Sequence, residues 1–438
     1  MIIIDRALKR RAEEGRPIRV AMVGAGAMGR GLARQIATVV PGMDLVAISS
    51  RRLEGAARCY REAGIEDLSV VDSPAALEGS IRAGRFAVTD DPFVLCQAGG
   101  IDAIVEATGA VDFGAQVALS ALKNGKHLVL VNAELDATVG PILKVYADHA
   151  GVIITNIDGD QPGVLLNLYR FVKGIGARPV LCGSIKTYYD RYATPATMQS
   201  FASRWDMTPQ MIASFTDGSK LSFEQAVVAN ATGMTVARLG MYGHAVERGT
   251  GIQDAVRAYS CEELLSGPGL VDYVLGADPS PGVFVLGAFD DPAQRRLLEY
   301  YKMGPGPLYC FCRPYHLCHF EVPFTIARAV LFSDAAVAPS GAPRVGVVAV
   351  AKRDLLPGDV LDGIGGHAVY GLCERALRMR EKRMLPLGLS DACRLRRRVA
   401  RDQVLTEDDV VRPEGRLSDR LYAEQEEHFR FDGSPGRK

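Results

Sequence analysis

The sequence has no excess of charge of either sign, since Lys+Arg and Asp+Glu each number 51 among 438 residues. Nucleic-acid-binding proteins usually carry a basic excess, so this balance argues against that class. No apolar run approaches the roughly 18–20 residues that span a bilayer. The first residues, MIIIDRALKRRAEEG, also lack the long apolar stretch of a secretory signal. Nine cysteines, an odd number, argue against an exported disulfide scaffold. We therefore expect a cytoplasmic, multidomain protein that binds neither nucleic acid nor membrane.

Short apolar runs alternate with helical patterns over the first 150 residues. This alternation predicts an α/β fold with a Rossmann-type, doubly wound parallel sheet. Longer strands mixed with helices follow and predict an α+β catalytic domain. A Pro/Gly/Ala-rich stretch at 336–343 then precedes a small β-rich module. The predicted domains are 1–160, 161–340 and 341–438.

A glycine-rich turn separates the first predicted strand, 18–23, from the helix that follows it. In a Gly-x-Gly-x-x-Gly turn of this kind, Gly24 permits the tight turn and Gly26 lets a pyrophosphate approach the backbone. Gly29 allows the helix to pack closely on the sheet. The helix N-terminus then faces the phosphates with free N–H groups. The sequence therefore predicts a dinucleotide site formed by Gly24, Ala25, Gly26, Ala27, Met28 and Gly29.

The end of the second predicted strand distinguishes between the two nicotinamide cofactors. An NAD site places an acidic residue there, about 20 residues past the glycines, to bind the ribose hydroxyl. This chain has two hydroxyls and two guanidiniums instead, which suit a 2′-phosphate and favour NADPH. These residues are Ser49, Ser50, Arg51 and Arg52. The residues expected near the nicotinamide follow later strands and are Ala107, Thr108, Gly109 and Asn132.

Two carboxylates, Asp158 and Asp160, follow a predicted strand near the expected nicotinamide. Oxygen ligands of this kind suit a hard divalent cation, Mg²⁺ or Mn²⁺, which could polarise a substrate carbonyl. The alternative is that an aspartate in this turn caps the helix starting near residue 163.

The second domain supplies further candidates for catalysis. Lys186 and Asp190 lie at a predicted strand end, and Lys220 and Glu224 lie one helical turn apart. Lysines can bind the phosphate of a sugar phosphate, and Lys186 or Asp190 could move hydroxyl protons. The alternative is that both are surface ion pairs.

The stretch from Cys310 to Glu321 concentrates cysteine and histidine. Its strand-like pattern sends alternate side chains to opposite faces, which argues against a structural zinc site. Packing, or a substrate-side role for His319 or Glu321, is the preferred interpretation.

Several motifs resemble known families. The segment Ala121-Leu-Lys-Asn-Gly-Lys-His-Leu-Val129 is similar to homoserine dehydrogenases, although Ala133 replaces their catalytic lysine. Asn132-Ala-Glu134, with Asp158-Gly-Asp160, resembles 1-deoxy-D-xylulose 5-phosphate reductoisomerase. That resemblance implies metal ligands at Asp158 and Asp160 and a site residue at Glu134. Arg353-Asp-Leu-Leu-Pro-Gly-Asp-Val360 is similar to the signature of SAF-type domains.

The whole chain thus resembles a reductoisomerase-like group with a C-terminal SAF-type module. The resemblance implies NADPH- and metal-dependent conversion of 1-deoxy-D-xylulose 5-phosphate to 2-C-methyl-D-erythritol 4-phosphate, in isoprenoid biosynthesis. One alternative is an NAD(P)-dependent oxidoreductase of another hydroxy acid, aldehyde or sugar phosphate that rearranges no carbon. Another is a non-catalytic protein that binds NADPH or carbohydrate. The expected partners are a small phosphorylated sugar and further copies of the chain, as a dimer or tetramer.

Overall fold

A computed structural model describes residues 3–429 of the chain. It contains a large parallel sheet, a mixed sheet and two small antiparallel sheets, in that order along the sequence. The predicted α/β fold class, with a Rossmann-type domain first and a β-rich region last, is confirmed. Within residues 3–429, no helix combines the length and the apolarity needed to cross a membrane.

The first sheet has seven strands in the order β3-β4-β2-β1-β5-β6-β7, and all of its pairings are parallel. The apolar runs predicted the central strands because both faces of such a sheet are covered by helices. β3 and β4 were not predicted. The strands are β1 (Ile18–Val23), β2 (Met43–Ser49), β3 (Leu68–Val70), β4 (Phe86–Thr89), β5 (Ala103–Glu106), β6 (His127–Leu130) and β7 (Ile154–Asn156).

Seven helices accompany this sheet. They are α1 (Ile4–Glu13), α2 (Ala27–Val39), α3 (Leu53–Glu62), α4 (Pro74–Arg82), α5 (Pro92–Gln97), α6 (Val111–Lys123) and α7 (Ala133–Ala150). The chain runs from β1 to β2 on one side and later returns to β5 on the other. Ligands bind at such a switch point, beyond the carboxyl ends of the strands, and the glycine-rich turn lies there.

The second sheet has five strands in the order β12-β11-β8-β10-β9. They are β8 (Arg178–Lys186), β9 (His244–Gly251), β10 (Leu270–Asp278), β11 (Gly282–Ala288) and β12 (Leu308–Arg313). The helices of this part are α8 (Gln161–Gly174), α9 (Pro195–Arg204), α10 (Pro209–Thr216), α11 (Ser219–Thr232), α12 (Ile252–Ala255), α13 (Cys261–Ser266), α14 (Pro292–Tyr300) and α15 (Cys318–Phe332).

The C-terminal part contains two antiparallel pairs of strands, β13 with β14 and β15 with β16. Its elements are β13 (Val345–Ala351), β14 (Val369–Arg375), α16 (Ala376–Glu381), β15 (Arg394–Leu395), β16 (Val410–Val411) and α17 (Leu417–His428). Single 3₁₀ turns occur at Val256–Ala258, Leu387–Leu389 and Glu407–Asp409.

The three predicted domains share extensive contacts. Val322 and Ile326 of α15 belong to the same apolar cluster as Ile18 of β1. The predicted linker at 336–343 is partly buried, and the backbone N–H of Asn156 donates to Val337 at 2.9 Å. After residue 317 the chain packs against the first sheet again, so segments of the second predicted domain belong to the core of the first. The three domain boundaries therefore stay predictions.

Candidate functional site

The glycine-rich turn has the geometry that its sequence predicts. Gly24 has a φ of +114°, and a Cβ there would lie 2.5 Å from the carbonyl oxygen of Ala107. A Cβ on Gly29 would lie 2.6 Å from the carbonyl oxygen of Gly24. A Cβ on Gly26 would meet nothing within 4 Å. The turn is therefore packed tightly on its inner side and open at Gly26, which fits a pyrophosphate at the start of α2.

A cavity of about 620 Å³ lies beyond the carboxyl end of β2, and Ser50, Arg51 and Arg52 line it with Glu54, Gly55 and Arg58. Ser49 is buried at the strand end. Arg51 and Arg52 are exposed, and within the described residues neither forms an ion pair. The one carboxylate of the lining, Glu54, pairs with Arg61. The cavity therefore offers unneutralised positive charge to an anionic group.

The residues predicted near the nicotinamide lie at the carboxyl ends of β5 and β6. The Thr108 backbone N–H donates to Glu106 at 2.8 Å, and burial raises the pKa of Glu106. Asn132 caps α7, accepting from the Leu135 N–H at 3.0 Å, and its amide donates to the Ala110 carbonyl at 3.1 Å. These contacts hold the two strand ends together beside the glycine-rich turn.

Five buried or half-buried side chains meet where α7, α8, β8 and α11 converge. Lys220 Nζ lies 3.2 Å from Glu134 Oε1, and Lys186 Nζ lies 3.8 Å from Glu224 Oε2. Asp160 is near enough to affect the pKa values of both Lys220 and Glu224. We call Glu134, Asp160, Lys186, Lys220 and Glu224 the lysine–carboxylate cluster. The sequence singled out all five, but it paired Lys220 with Glu224 and Lys186 with Asp190.

The cluster shifts the pKa values of its members in ways that matter for chemistry. Burial lowers the pKa of Lys220, but Glu134, Asp160 and Glu224 outweigh burial and raise it above the ordinary value. Lys220 therefore stays charged. Burial raises the pKa of Glu224 to about 7, although Lys186 opposes the shift. Glu224 can therefore exchange a proton near neutral pH.

A chain of amide hydrogen bonds positions Lys186. Its Nζ donates to Gln161 Oε1 at 2.8 Å, and the Gln161 amide donates to the Ser184 hydroxyl. Gln225 also donates to Ser184 Oγ, at 2.6 Å. Ser184, Gln161 and Gln225 are all buried. This network holds Lys186 at the end of β8 with its ammonium toward the cluster.

The two aspartates predicted as metal ligands have different surroundings. The Asp158 carboxylate pairs with Arg328 and accepts from Asn167 at 2.7 Å and from Thr325 at 3.0 Å. Asp160 caps α8, where Oδ1 accepts from the Gln161 N–H at 2.9 Å. The capping alternative therefore describes Asp160. A cation shared by both aspartates would have to displace Arg328, so this arrangement does not fit the predicted Mg²⁺ or Mn²⁺ site.

Two other predicted catalytic residues lie outside the cluster. Asp190 stabilises a turn, where its carboxylate accepts from the Tyr192 N–H at 3.0 Å. His319 packs against α2, because a Cβ on Gly31 would lie 2.9 Å from its ring, and burial lowers its pKa. Among the described residues, neither side chain forms a hydrogen bond or an ion pair with Lys186 or Lys220. Their catalytic roles stay predictions that the geometry does not favour.

Sequence reasoning missed His316 and Cys318 as site residues. The Cys318 thiol lies 3.5 Å from Asp160 Oδ1 and 3.8 Å from His316 Nδ1. The strand-like pattern was expected to continue through this stretch, but β12 ends at Arg313 and α15 begins at Cys318. The side chains of His316 and Cys318 therefore do not alternate across a sheet. The available signal was the density of cysteine and histidine between residues 310 and 321.

Comparison with known proteins finds that two segments of the chain are similar to oxidoreductase families. Residues 18–131 match an oxidoreductase family with an NAD-binding Rossmann fold, the GFO/IDH/MocA family. Residues 159–322 match the catalytic domain of the oxidoreductase DRL.

A homoserine dehydrogenase from Methylobacillus glycogenes is 30% identical over 122 residues, which are 28% of this chain and 26% of that protein. The match thus spans about a quarter of the curated relative. Among solved structures, myo-inositol dehydrogenase from Lactobacillus casei is 16% identical, covers 69% of this chain and 75% of its own, and has a TM-score of 0.38. KijD10, a 3-ketoreductase from Actinomadura kijaniata, is 15% identical, covers 73% and 91%, and has a TM-score of 0.35. Sequence identities and TM-scores this low give no information about the substrate.

These matches correct the resemblance drawn from the sequence. The prediction of a 1-deoxy-D-xylulose 5-phosphate reductoisomerase with a SAF-type module is wrong, because the matched families are those of the NAD-binding and DRL oxidoreductases. The spacing of Glu134, Asp158 and Asp160 suggested this family. In the structure Glu134 and Asp160 belong to the lysine–carboxylate cluster, whereas Asp158 pairs with Arg328. Residues 18–131, which contain the glycine-rich turn, and residues 159–322 are thus similar to the NAD-binding and catalytic domains of oxidoreductases.

Proposed function

We propose that the protein is an NADPH-dependent oxidoreductase that interconverts a hydroxyl and a carbonyl group without rearranging carbon. Its substrate is a small hydroxy acid, aldehyde or sugar phosphate. The observation that carries this proposal is the Lys220–Glu134 ion pair, at 3.2 Å. It brings a charged lysine from the second domain to the first turn of α7, directly after the strand end that carries Asn132.

Reduction of a carbonyl develops negative charge on its oxygen, and a preorganised cation stabilises that charge. NADPH supplies the hydride when it is bound. Lys220 is suited to face the developing alkoxide because its neighbours keep it protonated. Lys186 lies on the other side of the cluster, held by Gln161. Glu224, with its pKa raised by burial to about 7, is suited to pass a proton through Lys186.

Two features support NADPH rather than NADH. Arg51 and Arg52 line the cavity beyond β2 without a carboxylate partner among residues 3–429. Guanidinium groups bind phosphate strongly, whereas the ribose hydroxyl of NADH is best bound by an acidic residue. The acidic residue of this lining, Glu54, is paired with Arg61.

The proposal is tested by following NADPH absorbance while the purified protein is offered hydroxy acids, aldehydes and sugar phosphates in both reaction directions. Lys220→Met should reduce kcat/KM about 100-fold or more while leaving the Kd for NADPH unchanged. Lys144→Met is the matched control, since Lys144 forms a surface ion pair with Asp148 on α7. NADPH binding without turnover of any compound would instead identify a non-catalytic binding protein.

The protein is further proposed to form a homo-oligomer, since soluble assemblies of enzymes are mostly cyclic dimers or built from them. Helix α14 and the residue after it carry exposed apolar side chains, Leu297, Tyr300 and Tyr301. The molar mass from light scattering tests this directly. A mass equal to that of one chain would contradict it.

A further inference from the structure

Three side chains with three different donor atoms converge at the edge of the lysine–carboxylate cluster. The Asp160 carboxylate, the His316 ring and the Cys318 thiol each place one donor atom within 4.8 Å of the other two. The thiol lies 3.5 Å from Asp160 Oδ1 and 3.8 Å from His316 Nδ1. We call these residues the Asp–His–Cys triad.

We propose that the Asp–His–Cys triad binds a transition-metal ion of the Zn²⁺ class, with one coordination position open toward the lysine–carboxylate cluster. Tetrahedral zinc has bonds of about 2.0–2.3 Å to oxygen, nitrogen and sulfur, so its ligand atoms lie roughly 3.3–3.8 Å apart. The two shortest separations in the triad fall in that range. Three protein ligands with one open position is the arrangement of catalytic zinc sites.

The donor set selects the kind of metal. Thiolate and imidazole are soft or borderline ligands that favour Zn²⁺, whereas Mg²⁺ and Mn²⁺ prefer oxygen ligands. Asp158, which would have added a second carboxylate, is held by Arg328. The triad is therefore chemically distinct from the hard-cation site that the sequence predicts.

The backbone positions Asp160 and Cys318 close together without a bound metal. A Cβ on Gly159 would lie 2.5 Å from the Leu317 carbonyl oxygen and 2.7 Å from that of Cys318, so glycine lets the two segments meet. Asp160 is oriented by capping α8, and Cys318 is the first residue of α15. Burial, together with Asp160 and Glu224, raises the pKa of the Cys318 thiol. The thiolate, which is the form of cysteine that binds metal, therefore needs a bound cation to stabilise it. On binding, the Cys318 S–H bond is lost, an S–metal bond forms, and the proton leaves to solvent.

A second observation points to a cation at this position. Glu224 is 5% exposed, and within the described part of the chain its Oε2 has no hydrogen-bond partner. Asp160 lies close enough to Glu224 to raise its pKa, and Glu224 in turn lies close enough to Cys318 to raise the pKa of the thiol. When Glu224 is ionised, three carboxylates, Glu134, Asp160 and Glu224, face two lysines, and a divalent cation would compensate the excess negative charge. The Lys186 ammonium, 3.8 Å from Oε2, is too distant for a hydrogen bond, and a buried polar atom without a hydrogen bond is costly unless a ligand satisfies it.

The catalytic role of such a metal, which would be to polarise the substrate oxygen, rests on the proposed function. Metal binding itself does not, so the test uses a readout that is independent of turnover. The full-length protein, reduced and freed of metal, is titrated with Co²⁺. A cobalt–thiolate charge-transfer band should appear and saturate at one Co²⁺ per chain. Zn²⁺ should abolish the band, and excess Mg²⁺ should leave it unchanged.

Variants locate the site. Cys318→Ser should remove the charge-transfer band, and His316→Gln and Asp160→Asn should weaken Co²⁺ binding about tenfold or more. Cys312→Ser is the matched control, because Cys312 is an exposed cysteine of the same segment, and it should behave like the unchanged protein. Equal NADPH affinity in all variants shows that each is folded. No saturable band, or a band that persists in Cys318→Ser, would overturn the proposal. A protein that binds Co²⁺ at the triad but oxidises no NADPH would refute the proposed function and leave the metal site standing.

Discussion

Lys220 and Glu134 lie 86 residues apart in sequence, yet their side chains meet at 3.2 Å between α11 and α7. Their side chains are only 14% and 11% exposed. This ion pair joins the catalytic domain to the dinucleotide-binding domain at the edge where the nicotinamide is expected.

Because this pair is buried, removing one partner should cost more stability than removing both. Lys220→Met leaves the Glu134 carboxylate buried without its cation, and we expect a loss of about 3 kcal/mol in the free energy of unfolding. The double variant Lys220→Met/Glu134→Gln should lose clearly less. Urea denaturation of the three proteins measures the difference. Equal losses in the single and double variants would show that the pair is not coupled.

Arg51 should determine the preference for NADPH over NADH. Its guanidinium lines the cavity beyond β2, and a charged hydrogen bond to phosphate contributes about 1.5–3 kcal/mol. Arg51→Ala should therefore raise the Kd for NADPH about 10- to 100-fold and leave the Kd for NADH nearly unchanged. Fluorescence titration with each cofactor measures both values. Arg82→Ala, which alters an exposed arginine paired with Glu78 on α4, is the control. A similar change for both cofactors would contradict the cavity assignment.

Gly24 should tolerate no side chain. Alanine there would combine a φ of +114° with a Cβ only 2.5 Å from the Ala107 carbonyl oxygen. Gly24→Ala should lower the free energy of unfolding by at least about 1–3 kcal/mol and abolish measurable NADPH binding. The matched control is Gly79→Ala in α4, where a Cβ meets nothing within 4 Å and alanine favours the helix. The control should be as stable as the unchanged protein or slightly more so. NADPH binding by folded Gly24→Ala would exclude the turn as the pyrophosphate site.

Asp136 should make stability depend on pH. Burial raises its pKa to about 7, although Asn156 donates a hydrogen bond to it. In the unfolded chain an aspartate has a pKa of about 3.9, so the folded state binds the proton more tightly. The stabilisation is thus complete below about pH 4 and is lost as the pH rises to about 7, by at most ~4 kcal/mol.

Asp136→Asn should flatten the dependence of the unfolding free energy on pH between pH 4 and 7. The control Asp148→Asn, on the exposed side of the same helix, should keep it. Chemical denaturation at several pH values gives both curves. An unchanged slope in Asp136→Asn would mean that Asp136 is ionised throughout this range.

Features that depend on neighbouring residues could be predicted from the sequence alone. The strand-turn-helix around Gly24, Gly26 and Gly29 spans few residues, and each glycine is required by backbone sterics within that turn. The apolar runs of β1, β2, β5 and β6 likewise identified strands covered on both faces. Local geometry of this kind depends on residues that are adjacent in sequence, so the Rossmann-type domain could be predicted.

The pairing of side chains from distant segments depends on the tertiary structure and could not be predicted from the sequence. Lys220 and Glu224 are one turn apart on α11, but Lys220 turns to Glu134 and Glu224 to Lys186. Asp158 and Asp160 are two residues apart, but Arg328 takes the first while the second faces Cys318, 158 residues away. Side-chain partners across domains depend on how helix and strand ends pack together. That packing reflects the burial of many distant apolar residues, and no short motif encodes it.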